Sequence, residues 1–145
     1  MKILLDTSVI VEIDRGNEKV VRLLKRLREQ EEDLLVNSIT VTETLLGPFL
    51  CRNVKEATFK VKEILEQFIR KDIDGETAET AATLFAYLTK ENKKDWVEYP
   101  DVLIAATFFA TRCDALLTLN KKDFLIFPGL KNKVFTPEEF EKQMK

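Results

Sequence analysis

Four acidic residues of this chain stand beside apolar segments, where folding could bring them into one cleft: Asp6, Glu43, Asp101 and Asp123. Carboxylates gathered in a cleft repel one another and cannot all be ionised without a counter-charge. Mg²⁺ or Mn²⁺, hard cations that prefer oxygen ligands, would supply that charge. A cation held by carboxylates and water can activate the water and neutralise a phosphoryl oxygen, which is the chemistry of phosphodiester hydrolysis.

Asp101 has the most informative surroundings, because it follows Pro100 at the start of a strongly apolar segment. Proline is tolerated in a first helical turn, where its missing N–H would have no partner. A carboxylate there also faces the positive end of the helix dipole. Six of the seven residues from Val102 to Phe108 are apolar, which predicts a helix buried on most sides. An acid at the start of such a helix must be paired, bound to a metal or facing a cleft.

Each of these acids also has a purely structural explanation. Asp6 and Asp101 could cap the helices that follow them, since aspartate is a favoured capping residue. Glu43 could be an exposed helix residue, and Asp123 could cap the turn that contains Phe124. The chemical explanation requires instead that distant acids meet in space.

The composition bounds the class of protein. The chain has 145 residues, of which 45% are hydrophobic and 33% charged, and this predicts one globular domain over residues 1–145. A net charge of -2 argues mildly against a protein that coats nucleic acid through bulk positive charge. Histidine is absent, which excludes histidine-based catalytic triads and histidine-ligated zinc sites.

The chain has the features of a cytoplasmic protein with no membrane association. Its apolar runs fall short of the roughly 20 residues that a membrane span needs. The short N-terminal run ends at Asp6, unlike a signal peptide. Cys51 and Cys113 match no metal-ligand spacing, and we expect both to be reduced.

Short apolar runs and helical periodicity alternate along the chain. The predicted strands are Lys2–Asp6, Leu34–Val36, Lys71–Asp74, Ala115–Leu119 and Val134–Phe135. The predicted helices are 7–14, 18–32, one from Ser38 that Gly47-Pro48 ends or kinks, 54–70, 76–92 (with Asp74 as a possible cap), 100–113 and a last one capped by Thr136. This alternation favours a parallel sheet between layers of helices, with ligands bound at the carboxyl ends of the strands.

Four segments, spread over nearly the whole chain, match the motifs of one known family in order and in spacing: Leu4–Ile10, Ser38–Glu43, Pro100–Thr107 and Leu117–Phe124. Together they resemble the PIN-domain ribonucleases, and most of all the VapC-type toxins of toxin–antitoxin modules. The resemblance implies an α/β fold, a three-layer α/β/α sandwich with a short, mainly parallel central sheet. It also implies Mg²⁺- or Mn²⁺-dependent endonucleolytic cleavage of RNA by metal-activated water.

The resemblance further implies a role for each acidic residue. Asp6, Glu43 and Asp101 match the family's metal-binding positions. The fourth position corresponds to Asn120 or Asp123, of which we favour Asp123 as the acid, with Asn120 assisting by hydrogen bonds. Because Asn120 is neutral, the site could hold one metal ion or two.

Supporting roles follow from the same resemblance. Thr118 matches a position whose hydroxyl often lines the site, and Thr7 or Ser8 could do the same. The cationic residues placed where they could contact the RNA backbone are Arg15, Lys121 and Lys122.

The implied partners are an RNA substrate, a small antitoxin protein and a second copy of the chain. Phe49 and Phe59 fall near the helical pair that packs against a second copy or the antitoxin in toxin relatives. A housekeeping RNA-processing nuclease and a catalytically silent PIN-like interaction module are alternatives. A receiver-like phosphoacceptor domain also gathers acids at strand ends, but the spacing of the acids fits that class poorly.

Overall fold

The computed structural model describes residues 1–144 and contains one sheet of five parallel strands, in the order β3-β2-β1-β4-β5. The strands are β1 (Lys2–Leu5), β2 (Asp33–Asn37), β3 (Ile69–Lys71), β4 (Ala115–Leu117) and β5 (Val134–Phe135). The helices are α1 (Thr7–Asp14), α2 (Glu18–Glu29), α3 (Ser38–Phe49), α4 (Val54–Leu65), α5 (Gly75–Lys90), α6 (Tyr99–Ala110), α7 (Lys122–Leu125) and α8 (Pro137–Gln143). A short 3₁₀ turn (Lys94–Trp96) precedes α6.

The central strand β1 is buried on both faces. Leu4 pairs with Leu35 of β2 on one side and with Leu116 of β4 on the other. A parallel strand covered by helices on both faces is continuously apolar rather than alternating, as the run Ile3-Leu4-Leu5 is. This strand therefore holds the residue that follows it, Asp6, at a fixed point of the sheet edge.

Helices cover both faces of the sheet and create two apolar cores. Ile3 and Leu5 enter one core, to which α1, α2, α4 and α8 contribute. Leu4 enters the other core, together with residues of α5 and α6 such as Leu88 and Val102. Successive residues of β1 enter opposite cores because successive side chains of a strand point to opposite faces. The predicted three-layer α/β/α class is confirmed, with a sheet that is parallel throughout.

Local capping signals fix several helix starts as predicted. The Asn37 side chain accepts a hydrogen bond from the Ile39 N–H at the start of α3, at 2.7 Å. The Asp74 side chain likewise accepts from an N–H in the first turn of α5. Thr136 and Glu139 form a reciprocal capping box at the start of α8.

Two predicted boundaries between α4 and α5 are wrong. Helix α4 ends at Leu65 rather than at residue 70, and β3 spans Ile69–Lys71 rather than 71–74. Phe68 continues the helical spacing of Leu65, but its N–H bonds the Leu65 carbonyl in a tight turn that ends the helix. The edge strand β3 pairs with β2 alone. Its first residue, Ile69, continues the apolar periodicity of α4, and for this reason the sequence pattern assigned Ile69 to the helix.

Helix α3 also continues through Gly47-Pro48, where we predicted an end or a kink, and stops at Phe49. A proline in the last turn interrupts little, because almost no helix follows it. The remaining boundaries differ from prediction by up to three residues, as at the ends of α2, α6 and β4. No helix within residues 1–144 has the length and apolar character needed to cross a membrane.

Candidate active site

A cleft of about 730 Å³ opens at the carboxyl ends of β1 and β4. This is the edge at which open parallel α/β sheets bind ligands. Among the described residues that line it, Arg15 is the only cationic side chain, facing seven carboxylates. The acidic residues of the lining are Asp6, Glu12, Glu43, Asp95, Glu98, Asp101 and Asp123. The structure therefore brings all four acids predicted from the sequence into one cleft.

Asp6 is held rigidly in the floor of the cleft. Its backbone N–H bonds the Leu117 carbonyl of β4 at 2.9 Å, and its side chain is 4% exposed. One carboxylate oxygen, Oδ2, accepts hydrogen bonds from Ser8 Oγ at 2.8 Å and Thr118 Oγ1 at 2.7 Å. Asp6 occupies the N-cap position of α1 but makes no side-chain capping bond. The hydroxyl groups, and not the helix, fix the orientation of this carboxylate.

The same two hydroxyls join the start of α1 to the loop after β4. Ser8 Oγ accepts from the Leu119 N–H and Thr118 Oγ1 accepts from the Asn120 N–H, each at 3.0 Å. Each hydroxyl thus donates its single hydrogen to Asp6 and accepts a backbone hydrogen. Thr118 is fully buried behind the cleft, whereas Ser8 and Asn120 line it.

Glu43 reaches the cleft from α3 and is oriented by hydroxyl groups. Thr7 Oγ1 donates to Glu43 Oε1 at 2.7 Å, and Thr40 Oγ1 lies 3.0 Å from Thr7 Oγ1. Because the single hydrogen of Thr7 is used on Glu43, Thr40 is the donor of that second bond. Desolvation in the cleft, together with the charges of Asp6 and Glu98, raises the pKa of Glu43 against the opposing effect of the Thr7 hydrogen bond.

Asp101 carries the most perturbed carboxylate of the site. It lies in the first turn of α6, past the N-cap position, and no side-chain capping bond is formed there. Burial and the like charges of Asp6, Asp123 and Glu43 raise the pKa of Asp101 to about 7. None of the ion pairs within residues 1–144 includes it. Its charge is therefore left for something other than the protein to neutralise.

Both candidates for the fourth acidic position line the cleft. Asp123 stands in the first turn of α7, whose N-cap residue is Lys121, so Asp123 does not occupy the capping position of this helix. Its N–H bonds the Asn120 carbonyl at 3.1 Å. Asp123 is the candidate whose charge acts on Asp101, because it contributes to the raised pKa of that residue.

The arrangement fits a hydrated hard cation. Within residues 1–144 no three carboxylate or thiol groups are close enough together to hold one ion directly. Mg²⁺, however, keeps several water ligands and is commonly bound through one or two carboxylates. An oxygen-only donor set suits Mg²⁺ or Mn²⁺, and such a cation would relieve the repulsion that raises the pKa of Asp101.

Of the three cationic residues singled out in the sequence, the structure brings one to the cleft. Arg15 lines it, and its Nη1 donates to Glu12 Oε1 at 3.2 Å. Lys121 Nζ forms an ion pair with Glu139 Oε2 at 3.0 Å on the surface. The described lining of the cleft includes neither Lys121 nor Lys122.

Glu98 and Trp96 also line the cleft, although no motif of the sequence marked either residue as part of a site. The charge of Glu98 contributes to the raised pKa values of Asp101 and Glu43. Its position is a usable signal, since a glutamate at an N-cap, where shorter polar side chains are preferred, points to another role. Trp96 lies in a segment for which no element was predicted, and its exposure was not readable from the sequence.

Comparison with known proteins identifies the family of this chain. The sequence model of the PIN domain family matches residues 3–128. Ribonuclease VapC3 of Methanocaldococcus jannaschii is 31% identical over 109 residues, which are 75% of this chain and 100% of that protein.

Two solved structures share the fold. The structure of VapBC2 from Rickettsia felis bound to a DNA fragment from its promoter matches with a TM-score of 0.83 at 20% identity, covering 94% of this chain and 98% of the other. A toxin–antitoxin complex from Klebsiella pneumoniae matches with a TM-score of 0.69 at 24% identity, over the same shares of the two chains.

The fold and the cleft define an α/β protein with an acidic site at the carboxyl edge of a parallel sheet. The family match covers most of the chain, and the chain belongs to the PIN domain family. The family predicted from the four sequence segments is thereby confirmed.

Proposed function

We propose that this chain is a Mg²⁺- or Mn²⁺-dependent endoribonuclease and the toxin of a toxin–antitoxin pair, with residues 1–145 forming one domain. The observation that carries the proposal is the meeting of Asp6, Glu43, Asp101 and Asp123 in one cleft, where burial and the neighbouring like charges raise the pKa of Asp101 to about 7. A divalent cation binds such a cluster favourably because it neutralises charge that the protein leaves unpaired. The 31% identity to a protein named ribonuclease VapC3 supports RNA as the substrate.

The chain's own residues would hold and orient the reacting groups. Ser8 and Thr118 occupy Asp6 Oδ2, which leaves Oδ1 as the oxygen offered to the cation. Asp101 would hold the cation together with Asp6, and Glu43 and Asp123, which line the same cleft, would complete its shell directly or through water. When bound, the cation would polarise the phosphoryl group and lower the pKa of water at the site.

A partner surface is part of the proposal. Large apolar side chains are exposed at the end of α3 and on α4, where Phe49 is 55%, Leu50 78% and Phe59 64% exposed. Exposed apolar side chains grouped on neighbouring helices are typical of protein–protein contacts. We assign this surface to the antitoxin or to a second copy of the chain, in keeping with the complexes named among the solved relatives.

Cleavage of a labelled structured RNA with Mn²⁺, Mg²⁺ or EDTA tests the nuclease. We expect cleavage by the wild-type protein with either cation and none with EDTA. Asp6→Asn and Asp101→Asn should each reduce the rate at least about a hundredfold, since each removes a charged ligand. Asp72→Asn is the matched control, because Asp72 is an exposed aspartate paired with Arg70 and stands outside the cleft.

Equal cleavage by the wild-type, Asp6→Asn and Asp101→Asn proteins would identify a contaminating nuclease and contradict the proposal. A wild-type protein that is inactive on every RNA, but still binds a protein encoded beside it, would favour the catalytically silent interaction module. A nuclease without an adjacent antitoxin gene would favour the housekeeping RNA-processing enzyme.

A further inference from the structure

The geometry points to Trp96 as a nucleobase-stacking residue, which holds a base that flanks the scissile phosphate of a single-stranded RNA. This inference rests on the proposed ribonuclease function. Trp96 is the only tryptophan of the chain, ends the 3₁₀ turn before α6 and lines the cleft. Its side chain is 68% exposed, although tryptophan is on average a highly buried residue.

The acidic residues lie deep in the cleft and Trp96 lies at its rim, so an RNA phosphate at the acids and the base next to it would contact different levels of the cleft. Asp6, in the floor, is 4% exposed, whereas Trp96 is 68% exposed and belongs to the rim. A phosphate that descends to the acidic floor must bend its strand and leave a flanking base unstacked. Unpaired bases are recognised chiefly by stacking on aromatic side chains. Among the described lining residues Trp96 is the only aromatic one.

The charge of the cleft makes such a contact necessary. Most nucleic-acid affinity comes from lysine and arginine contacts to phosphates. Here Arg15 is the only cation among the described lining residues, and Glu12 accepts a hydrogen bond from it at 3.2 Å. Asp95 and Glu98, which flank Trp96 in the wall, repel a phosphate backbone. Stacking on the indole gives affinity that does not depend on charge.

The test compares steady-state kinetics of four proteins on the RNA that the wild-type protein cleaves. Stacking is worth about five-fold to a hundred-fold per base, so Trp96→Ala should raise KM within that range and change kcat less than about two-fold. Trp96→Phe keeps an aromatic face and should restore KM to within about three-fold of wild type. Tyr99→Ala is the matched control, since Tyr99 is 64% exposed, packs on Phe85 and is not part of the described lining.

A spectroscopic arm uses Trp96 as the chain's single tryptophan. The Asp101→Asn substitution slows cleavage enough for binding to be followed, and in this variant with Mn²⁺ a single-stranded RNA of about 12 nucleotides should quench the tryptophan fluorescence as it binds. An abasic oligonucleotide of equal length carries the same charge without bases. Because it lacks the stacking contact, it should bind more weakly, as followed by its own fluorescence anisotropy, and should cause no quenching once bound.

An unchanged KM for Trp96→Ala, or an equal rise for Tyr99→Ala, would overturn the inference while leaving the nuclease in place. Equal quenching by RNA and the abasic oligonucleotide would do the same. Fluorescence that responds to a partner protein but not to RNA would assign Trp96 to a protein contact instead. If the wild-type protein cleaves no RNA, the proposed function has failed and this inference fails with it.

Discussion

The two walls of the cleft treat their carboxylates in opposite ways. One side of the cleft, which rises from the floor at Asp6 and which we call the Asp6 wall, is formed by Asp6, Ser8 and Thr118, and two hydroxyl groups there donate to one carboxylate oxygen. On the Asp101 wall, formed by Glu98 and Asp101 at the start of α6, capping bonds from these side chains are absent and like charges accumulate. The Asp6 wall fixes the orientation of one carboxylate, whereas the Asp101 wall holds a carboxylate whose charge has no partner in the described protein.

The difference originates in the elements that carry each wall. Asp6 follows a buried strand, and the hydroxyl residues next to it and after β4 come within reach because β1 and β4 are paired. Asp101 starts a helix whose residues Val102–Phe108 are all buried, which removes water from one side of its carboxylate. A cation bound between the two walls would contact the already oriented carboxylate of Asp6 and would be attracted by the uncompensated charge of Asp101.

Among substitutions that change the two walls but keep the four acids, the largest effect should come from Thr118 in the Asp6 wall. Thr118→Val keeps the shape of the fully buried side chain but removes the donor to Asp6 and the acceptor of the Asn120 N–H. Loss of a residue that orients a metal ligand typically costs 10- to 100-fold in activity or metal affinity. We also expect the free energy of unfolding to fall by about 1 to 3 kcal/mol, because a buried polar group is left unpaired.

Thr118→Ser is the control for that prediction, since it keeps the hydroxyl and loses only a methyl group. Its RNA cleavage rate and Mn²⁺ half-saturation should stay close to wild type. Equal losses in the valine and serine variants would show that packing, and not the hydroxyl, matters at residue 118.

A smaller effect should come from removing the charge of the Asp101 wall in metal-free protein. The pKa of Asp101 is raised from 3.8 to about 7 in the folded state. The folded state therefore binds more protons than the unfolded state between these values, and stability falls as pH rises through that range. Asp101→Asn, which cannot ionise, escapes this loss. In EDTA its advantage in unfolding free energy should grow between about pH 4 and pH 7 to about 1 to 2 kcal/mol, allowing for partial solvent access.

Denaturant unfolding at a series of pH values measures this gap. Asp72→Asn, which removes the charge of an exposed aspartate outside the cleft, is the control for the loss of one negative charge elsewhere on the protein. A gap for Asp101→Asn that stays constant, or that closes as pH rises, would contradict the uncompensated charge.

Much of the fold and of the site could be predicted from the sequence. The run Ile3-Leu4-Leu5 ending at Asp6 predicted both the central strand and the acid at its end, because burial on two faces demands a continuous apolar run. Pro100 and the apolar residues after Asp101 predicted a buried helix with an acid at its start. The edge strand β3 was misplaced, since Ile69 is 52% exposed and its strand character depends on pairing with β2.

The sequence was less informative about groups whose role depends on distance. Lys121 and Lys122 follow Asn120 directly, yet Lys121 turns to Glu139, a partner from the distant helix α8. Glu98 and Trp96 line the cleft only because α6 and the 3₁₀ turn before it stand against the ends of β1 and β4. Motif spacing specifies the residues that the strands carry, but the side chains at the rim depend on how the loops are placed.

The smallest effect should come from Glu98, and it would show whether the Asp101 wall binds the cation or only attracts it. Glu98 is exposed, and its charge is the smallest named contribution to the raised pKa values of Asp101 and Glu43. If Glu98 acts through its charge alone, Glu98→Gln should raise the Mn²⁺ concentration that gives half of the maximal stabilisation about two- to three-fold. Glu43→Gln removes a proposed ligand and should raise it at least about tenfold, measured as the Mn²⁺-dependent shift in Tm. Equal shifts for the two variants would make Glu98 a fifth ligand, and the Asp101 wall would then bind the ion through two carboxylates of its own.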